Sequence, residues 1–365
     1  MLSKDSPMPL YYQLKEEIKH KIKSGYIQPG EKLPSENEMI SQYGIGRLTI
    51  REALSQLVNE GYLEKKQGMG TFCKAIQVSK ESLNIDVLLD TSDTYFIPYY
   101  IRGISEVLSM NDCNFLFYDT KGGKLDVIVS ILESVLLKGT SGIIIQTSNE
   151  ITNPPERLKE LFKEFKARGI PYMMLDNIYH GIEASYVTID YTKGTYMAVD
   201  YLAQLGHKNI CGIFYNENKE SLLRKKGYLK ALLDNDISIH KEWIIGIDEH
   251  QEDMLDELLV GLMEQQDKVT GIVCYNDALA LRCLKVVPGL GYKVPDDISI
   301  IGFDDSTIAQ RAQVAMTSIR HPKDELARHA ADKLLQIISR AELWPYSYIF
   351  EPQLIVRQST GIPGR

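Results

Sequence analysis

The chain has 365 residues, 44% of them apolar and 25% charged, with a formal net charge of −8, an ordinary globular composition for two or three domains that excludes disorder and fibre. Five cysteines, odd in number, widely spaced and without a CxxC pair, indicate neither a disulfide framework nor a zinc site, so no metal or other cofactor is expected. Residues 1–74 hold 11 Lys+Arg against 9 Asp+Glu, leaving 30 against 40 in the remainder, so the acidity belongs to the larger part and does not argue against nucleic acid at the front.

No charged-then-apolar leader opens the sequence and no apolar run approaches the ~18 residues of a membrane span, so a cytoplasmic protein without membrane contact is expected. Residues 11–24 carry Leu14, Ile18 and Ile22 at helical spacing, a first helix with Lys15, Lys19, Lys21 and Lys23 off its stripe and read as a solvated face. Pro29-Gly30 then turns the chain. Ser35 and Glu38 form a capping box, which predicts a short helix over 36–43 stopped by Gly44. Ile45 buries the turn, and a second helix over 47–59 carries Ile50, Ala53, Leu54 and Leu57 inward, with Gly61 as its stop. That is a helix-turn-helix. Arg47 and Arg51 stand one turn apart near the start of its second helix, with Thr49 beside them, where recognition helices meet base edges and phosphates. Tyr62 to Lys66, the turn Gln67-Gly-Met-Gly, and Thr71 to Cys73 alternate like a hairpin. As a wing, its Gly68 and Gly70 allow close backbone approach to DNA, and Lys65 and Lys66 supply counter-charge.

Pro9-Leu-Tyr-Tyr-Gln, Gly25-Tyr-Ile-Gln-Pro-Gly30, Leu33-Pro-Ser35-Glu36, Arg47-Leu-Thr-Ile-Arg51-Glu-Ala-Leu and Gln67-Gly-Met-Gly-Thr-Phe resemble the signature of GntR-type winged-helix repressors. The resemblance implies an α+β winged helix-turn-helix that binds double-stranded operator DNA through Ser35, Glu36, Arg47, Thr49, Arg51, Lys65, Lys66, Gly68 and Gly70. Two positions depart from the family pattern: Gly46 stands where a serine is usual, and Met69 where the wing tip often carries arginine.

Residues 73–84 show mixed polarity and no period, and read as a linker between a first domain over 1–72 and a second over 85–365. In the second, apolar runs at 85–89, 114–118, 142–146, 171–175, 209–214, 270–274 and 298–303 alternate with helical periods at 124–137, 192–205, 220–233 and 277–287. Buried parallel strands alternating with amphipathic helices mean open α/β sheets, and about 280 residues suit two lobes better than one. Ligands of such sheets bind beyond the carboxyl ends of strands. Tyr95, Phe96, Tyr99, Arg224, Asn276, Asp277 and Asp304 lie there by position, offering planar partners for vicinal hydroxyls and aromatic faces for a sugar ring. Taken singly they have structural readings, with Asp277 as a helix cap, Arg224 as a surface ion pair and Tyr95 as packing.

Arg102-Gly-Ile, Arg224-Lys-Lys-Gly-Tyr, Cys274-Tyr-Asn-Asp277, the run from Val294 to Asp305, and Thr317-Ser-Ile-Arg-His-Pro resemble the effector domain of LacI/GalR repressors, itself similar to periplasmic sugar-binding proteins. With the stretch Ile349 to Ser359, the chain as a whole resembles the arabinose-repressor family of Gram-positive bacteria. That resemblance implies a homodimeric, sugar-responsive repressor with L-arabinose as inducer, the alternative being another pentose or hexose, a phosphosugar or a purine. Enzyme readings find no support: there is no P-loop, no HExxH, no GxSxG elbow, and Gly68-Met-Gly lies in a hairpin without the third glycine of a dinucleotide fingerprint.

Overall fold

Apolar spacing and turn residues account for most elements of the computed structural model, which describes residues 9–23, 26–66, 68–74, 82–91, 96–146, 154–176, 178–179, 181–216, 219–248, 253–340 and 342–364. The chain divides into two units, Met1–Ser82 and Leu83–Arg365, described separately below.

The first unit has three helices, α1 (Leu10–Lys23), α2 (Glu36–Tyr43) and α3 (Arg47–Asn59), and a hairpin of β1 (Leu63–Lys66) and β2 (Gly70–Cys73). The capping box opens α2: the Ser35 hydroxyl accepts from the Glu38 amide at 3.3 Å, and the Ser35 amide donates to the Glu38 carboxylate at 2.7 Å. Gly44 closes the helix at φ 64, a conformation costly for a side chain. Leu14, Ile18 and Ile22 pack with Ile50, Ala53, Leu54 and Leu57 in one core. The α1 lysines differ from the expectation of a solvated face. Lys15 and Lys19 both bind Glu60 at 2.9 Å, because α1 runs alongside α3 and Glu60 caps the end of α3. The expected linker is narrower than 73–84, since Cys73 lies in β2 and Asn84 opens the next strand; residues 75–81 lie outside the described residues.

The second unit holds two six-stranded sheets. One comprises β3 (Asn84–Leu89), β4 (Asn114–Asp119), β5 (Gly142–Gln146), β6 (Tyr172–Leu175), β7 (Ser185–Ile189) and β13 (Ser347–Phe350), in the order β13-β7-β6-β5-β3-β4, all parallel. The other comprises β8 (Ile210–Tyr215), β9 (Ile244–Ile247), β10 (Gly271–Cys274), β11 (Ser299–Asp304), β12 (Thr317–Arg320) and β14 (Gln353–Ile355), in the order β14-β12-β11-β10-β8-β9, with only β14 antiparallel to its neighbour. Every strand expected from the sequence is present, within a residue at each end. Five others, β7, β9, β12, β13 and β14, had not been expected.

Helices α4 (Ile97–Met110), α5 (Leu125–Lys138), α6 (Glu156–Ala167) and α12 (Lys323–Ile338) cover the first sheet, whose faces form two apolar clusters. Helices α7 (Tyr191–Gln204), α8 (Lys219–Asp234), α9 (Met254–Met263), α10 (Asp277–Gly289) and the short α11 (Thr307–Arg311) belong to the second, which has one continuous core. The chain passes between the lobes three times: after β7, after β12 and between β13 and β14. All five cysteines are buried free thiols. Among the described residues no helix is long and apolar enough to cross a membrane, and no group of His, Cys, Asp and Glu is placed to hold a metal ion.

Candidate DNA interface and effector site

Six of the nine residues singled out for DNA contact, Ser35, Glu36, Lys65, Lys66, Gly68 and Gly70, line one groove of about 540 Å³ between the start of α2 and the wing. The glycines take φ values of 73 and 117, as the turn requires. Lys66 pairs with Glu64 at 2.9 Å, while Lys65 is exposed. Arg47, Thr49 and Arg51 stand on the first two turns of α3, and none of them lines that groove. Arg51 lays its Nε on both Glu36 oxygens at 3.0 and 2.9 Å, and Arg47 donates to Asn37 Oδ1 at 2.5 Å. Both guanidiniums are thus exposed and held at the edge of the groove. Lys32, which the sequence reading passed over, also lines it. A single bridge to Phe72 fixes its backbone, and its Cε lies 2.9 Å from where a Cβ on Gly70 would stand. In the sequence it looks like any solvated lysine before a turn.

Gly46 occupies the N-cap of α3 without a side-chain bond. Met69, at the wing tip, is 61% exposed.

In the second unit the carboxyl ends of both sheets meet. Asp176, directly after β6, is buried at φ 68 and accepts the hydroxyls of Tyr100 and Tyr191, each at 2.6 Å, and a bond from His321 Nε2 at 3.1 Å. Burial alone would raise its pKa, but the His321 charge and these three donors outweigh it and bring the carboxyl down to about 2. Tyr191 passes the contact on, its ring 4.9 Å from the Arg224 guanidinium.

Arg224 is fully buried, set against Phe303 and Tyr275 with its guanidinium 3.9 and 4.1 Å from the two ring centres. It donates to the Tyr275 carbonyl and lies 3.5 Å from Glu220 and 3.6 Å from Asp304. Burial works against its charge, and the surrounding tyrosines and acids more than restore it. Asp304 ends β11 at φ 107, a conformation only a constrained site imposes on a side chain. Burial pushes its carboxyl well above the ordinary range despite Arg224 and Lys323. Two buried polar atoms here, Arg224 Nε and Asp304 Oδ1, have no hydrogen-bond partner among the described residues. Such atoms cost about 1–3 kcal/mol each unless a ligand or water matches them.

The remaining candidates divide. Phe96 caps α4, with its ring at 5.1 Å and 87° to His321 and the Lys323 ammonium 4.8 Å above it. Tyr99 stands one turn on, near Arg102 and Lys323. Asn276 is half-buried and caps α10 through the Leu279 amide at 2.9 Å. Asp277 is fully buried and accepts both the amide and the hydroxyl of Ser306 at 2.8 Å and the Ser318 hydroxyl at 2.6 Å. It ties the turn after β11 to β12, holding Asp304 in place. Tyr95 lies outside the described residues. Asp176, His321 and Lys323 were missed: a lone acid after Met-Met-Leu and a His-Pro pair carry no periodic signal.

Residues 10–73 match the model of the bacterial regulatory proteins of the gntR family, and residues 199–360 that of a periplasmic binding protein-like domain. The arabinose metabolism transcriptional repressor of Halalkalibacterium halodurans is 34% identical over 364 residues, covering 96% of each chain, and that of Geobacillus stearothermophilus is 32% identical over 365 residues, covering 98% and 99%. The chain belongs to the arabinose metabolism transcriptional repressor family. It is a sugar-responsive repressor with a winged-helix reader and a two-lobed sensor, of a family of regulators and not of enzymes.

Solved structures agree on the fold. The regulator CelR in complex with cellobiose is 20% identical with a TM-score of 0.65, covering 90% of this repressor and all of that chain. A LacI family regulator of Enterococcus faecium with bound ribose is 24% identical with a TM-score of 0.63, covering 76% and 99%.

Proposed function

We propose that this repressor binds operator DNA in the cytoplasm as a homodimer and releases it on binding L-arabinose between the lobes of its sensor. The observation that carries the sugar site is the unmatched pair at its centre, Arg224 Nε as a donor and Asp304 Oδ1 as an acceptor, 3.6 Å apart between the charged groups. A sugar hydroxyl both accepts and donates, so vicinal hydroxyls answer both atoms at once. Asn276 adds an amide at the edge, Phe96 and Tyr99 an aromatic wall, and Asp277 positions the strained turn without touching the ligand.

Closure follows from where these groups sit. A ligand held from both lobes favours the state in which both walls reach it. In a dimer that rotation alters the spacing of two readers, and half-site spacing on DNA is a geometric constraint, so a bias of a few kcal/mol releases the operator. On the DNA side, Arg47, Thr49 and Arg51 read bases while Ser35, Glu36, Lys65, Lys66 and the wing glycines set register on the backbone.

Calorimetric titration with L-arabinose, D-xylose, D-ribose and D-glucose, alongside mobility shifts on an operator duplex, tests the reading. L-arabinose should bind most tightly of the four and release the duplex; tighter binding of another sugar, or binding without release, overturns it.

A further inference from the structure

The crossing from β12 to α12 carries a buried imidazole with one ring nitrogen unmatched. His321 is 3% exposed. Its Nε2 lies 3.1 Å from Asp176 Oδ1 and 3.4 Å from the Tyr191 hydroxyl, and its Nδ1 has no hydrogen-bond partner among the described residues. Asp176 fixes the tautomer. An ionised carboxylate is acceptor-only, so Nε2 carries the proton, and Nδ1 of the neutral ring is left as a buried lone pair. Flipping the ring would surrender the Asp176 bond, so the orphan is built in.

The neighbourhood shows what would match it. Phe96 meets the ring edge-on at 5.1 Å, and Tyr191 lies between it and the Arg224 guanidinium. Three unmatched atoms thus belong to one connected set of side chains: the acceptors His321 Nδ1 and Asp304 Oδ1, and the donor Arg224 Nε. Two acceptors and a donor are the complement of a polyol, in which every hydroxyl offers one hydrogen and two lone pairs.

We propose that His321 accepts a hydroxyl of the effector through Nδ1, and that protonation of this ring opposes effector binding, so induction is proton-linked. The inference rests on the sugar reading above. Protonation would turn Nδ1 from acceptor to donor and place a cation beside two others. The groups facing the ring are Tyr100 from α4, Asp176 after β6, Tyr191 on α7, Arg224 on α8 and Lys323 on α12. Asp176 is held down to about 2, and burial raises the Tyr191 phenol well above its ordinary value. Burial likewise holds His321 below the ordinary histidine value, although Asp176 pulls the other way. Asp304 and Asp277, raised by burial, titrate beside Arg224 and the serines; a comparison with a His321 variant separates their effect.

The test is titration calorimetry of the full chain with L-arabinose from pH 5.0 to 8.0, for wild type and His321→Gln. Wild-type affinity should be level at the alkaline end and fall towards tenfold per pH unit on the acid limb, the limit for one linked proton. In His321→Gln that limb should be missing, with operator affinity at pH 7.5 unchanged. A level wild-type profile, or the same acid limb in the variant, overturns the inference. Should His321→Gln fold poorly, His321→Asn and ¹⁵N spectra of the wild-type ring serve instead: the sugar should shift Nδ1 at pH 7.5, and an unmoved Nδ1 is equally fatal. Failure of the wild type to bind any of the four sugars would sink the sugar reading itself, whereas binding with a profile independent of His321 sinks this inference alone.

Discussion

Arg51 on the recognition helix sets its Nε between the two carboxylate oxygens of Glu36, at 3.0 and 2.9 Å. The pair is exposed and joins the start of α3 to the start of α2, so the guanidinium is already oriented, with its other nitrogens free of that contact. Arg51→Ala or Arg47→Ala should weaken operator binding by about 1–3 kcal/mol, the worth of a bidentate base contact. Random DNA should lose much less, and sugar affinity should not change. Mobility shifts at fixed salt decide it, and equal losses on both DNAs would demote these residues to phosphate contacts.

Arg224 and Asp277, grouped by the sequence, should separate by phenotype. Arg224→Met removes a donor from the proposed sugar site, so inducer demand should rise at least tenfold at full operator affinity, since a charged hydrogen bond is worth about 1.5–3 kcal/mol. Asp277→Ala strands the Ser306 and Ser318 hydroxyls instead, at about 1–3 kcal/mol each, and should lower the melting temperature of the sensor first. An Asp277→Ala protein of wild-type stability with lost sugar binding would put this carboxylate in the ligand's first contacts.

Gly46 offers a gain. Its backbone at φ −66 and ψ 150 is one a serine adopts freely, and a Cβ there would meet only Thr49 Oγ1 at 3.9 Å. Gly46→Ser should supply the missing cap of α3, stabilising the reader by a few tenths of a kcal/mol, since glycine is itself a fair cap, and adding a hydroxyl for a backbone phosphate. Thermal melts and shifts on operator and random DNA should both rise; a lowered melting temperature would contradict the geometry.

Burial lowers the pKa of His207, His321 and His329. Folded values below the ordinary ~6.5 mean that the unfolded chain binds more protons, so their contribution falls as pH drops from about 6.5 towards the folded values. Asp277 and Asp304, raised by burial, act in the opposite sense. The clean reading is therefore a difference: His207→Gln, whose ring bonds Thr270 and the Gly361 carbonyl, should show a shallower loss of melting temperature between pH 7.5 and 5.0 than wild type. Parallel slopes would show that His207 carries none of it.

The reader was legible almost to the residue because its signals are local. Ser35 with Glu38, Gly44 and the spacing of Ile50, Ala53, Leu54 and Leu57 each act within one or two turns. The sensor's buried strands were legible for a different reason, since a parallel strand covered on both faces is an unbroken apolar run. Strands that failed to appear were those at edges or without such runs: β13, with Tyr348 and Ile349 exposed, and β12, whose Thr317 and Ser318 are buried but polar. Hidden too was the convergence of Asp176, Tyr191 and His321, residues brought together only by the passages between lobes, for which spacing along the chain carries no information.

Those three passages also order events at the ribosome. The reader's core is complete once β2 has emerged, whereas each sheet of the sensor waits for an edge strand drawn from Ser347–Phe350 or Gln353–Ile355. At about 5–20 residues per second, synthesis leaves an interval in which the part that grips DNA can be finished while the part that answers to sugar lacks its last strands. Neither lobe is a continuous stretch of chain, so neither sheet is complete until the last strands have emerged.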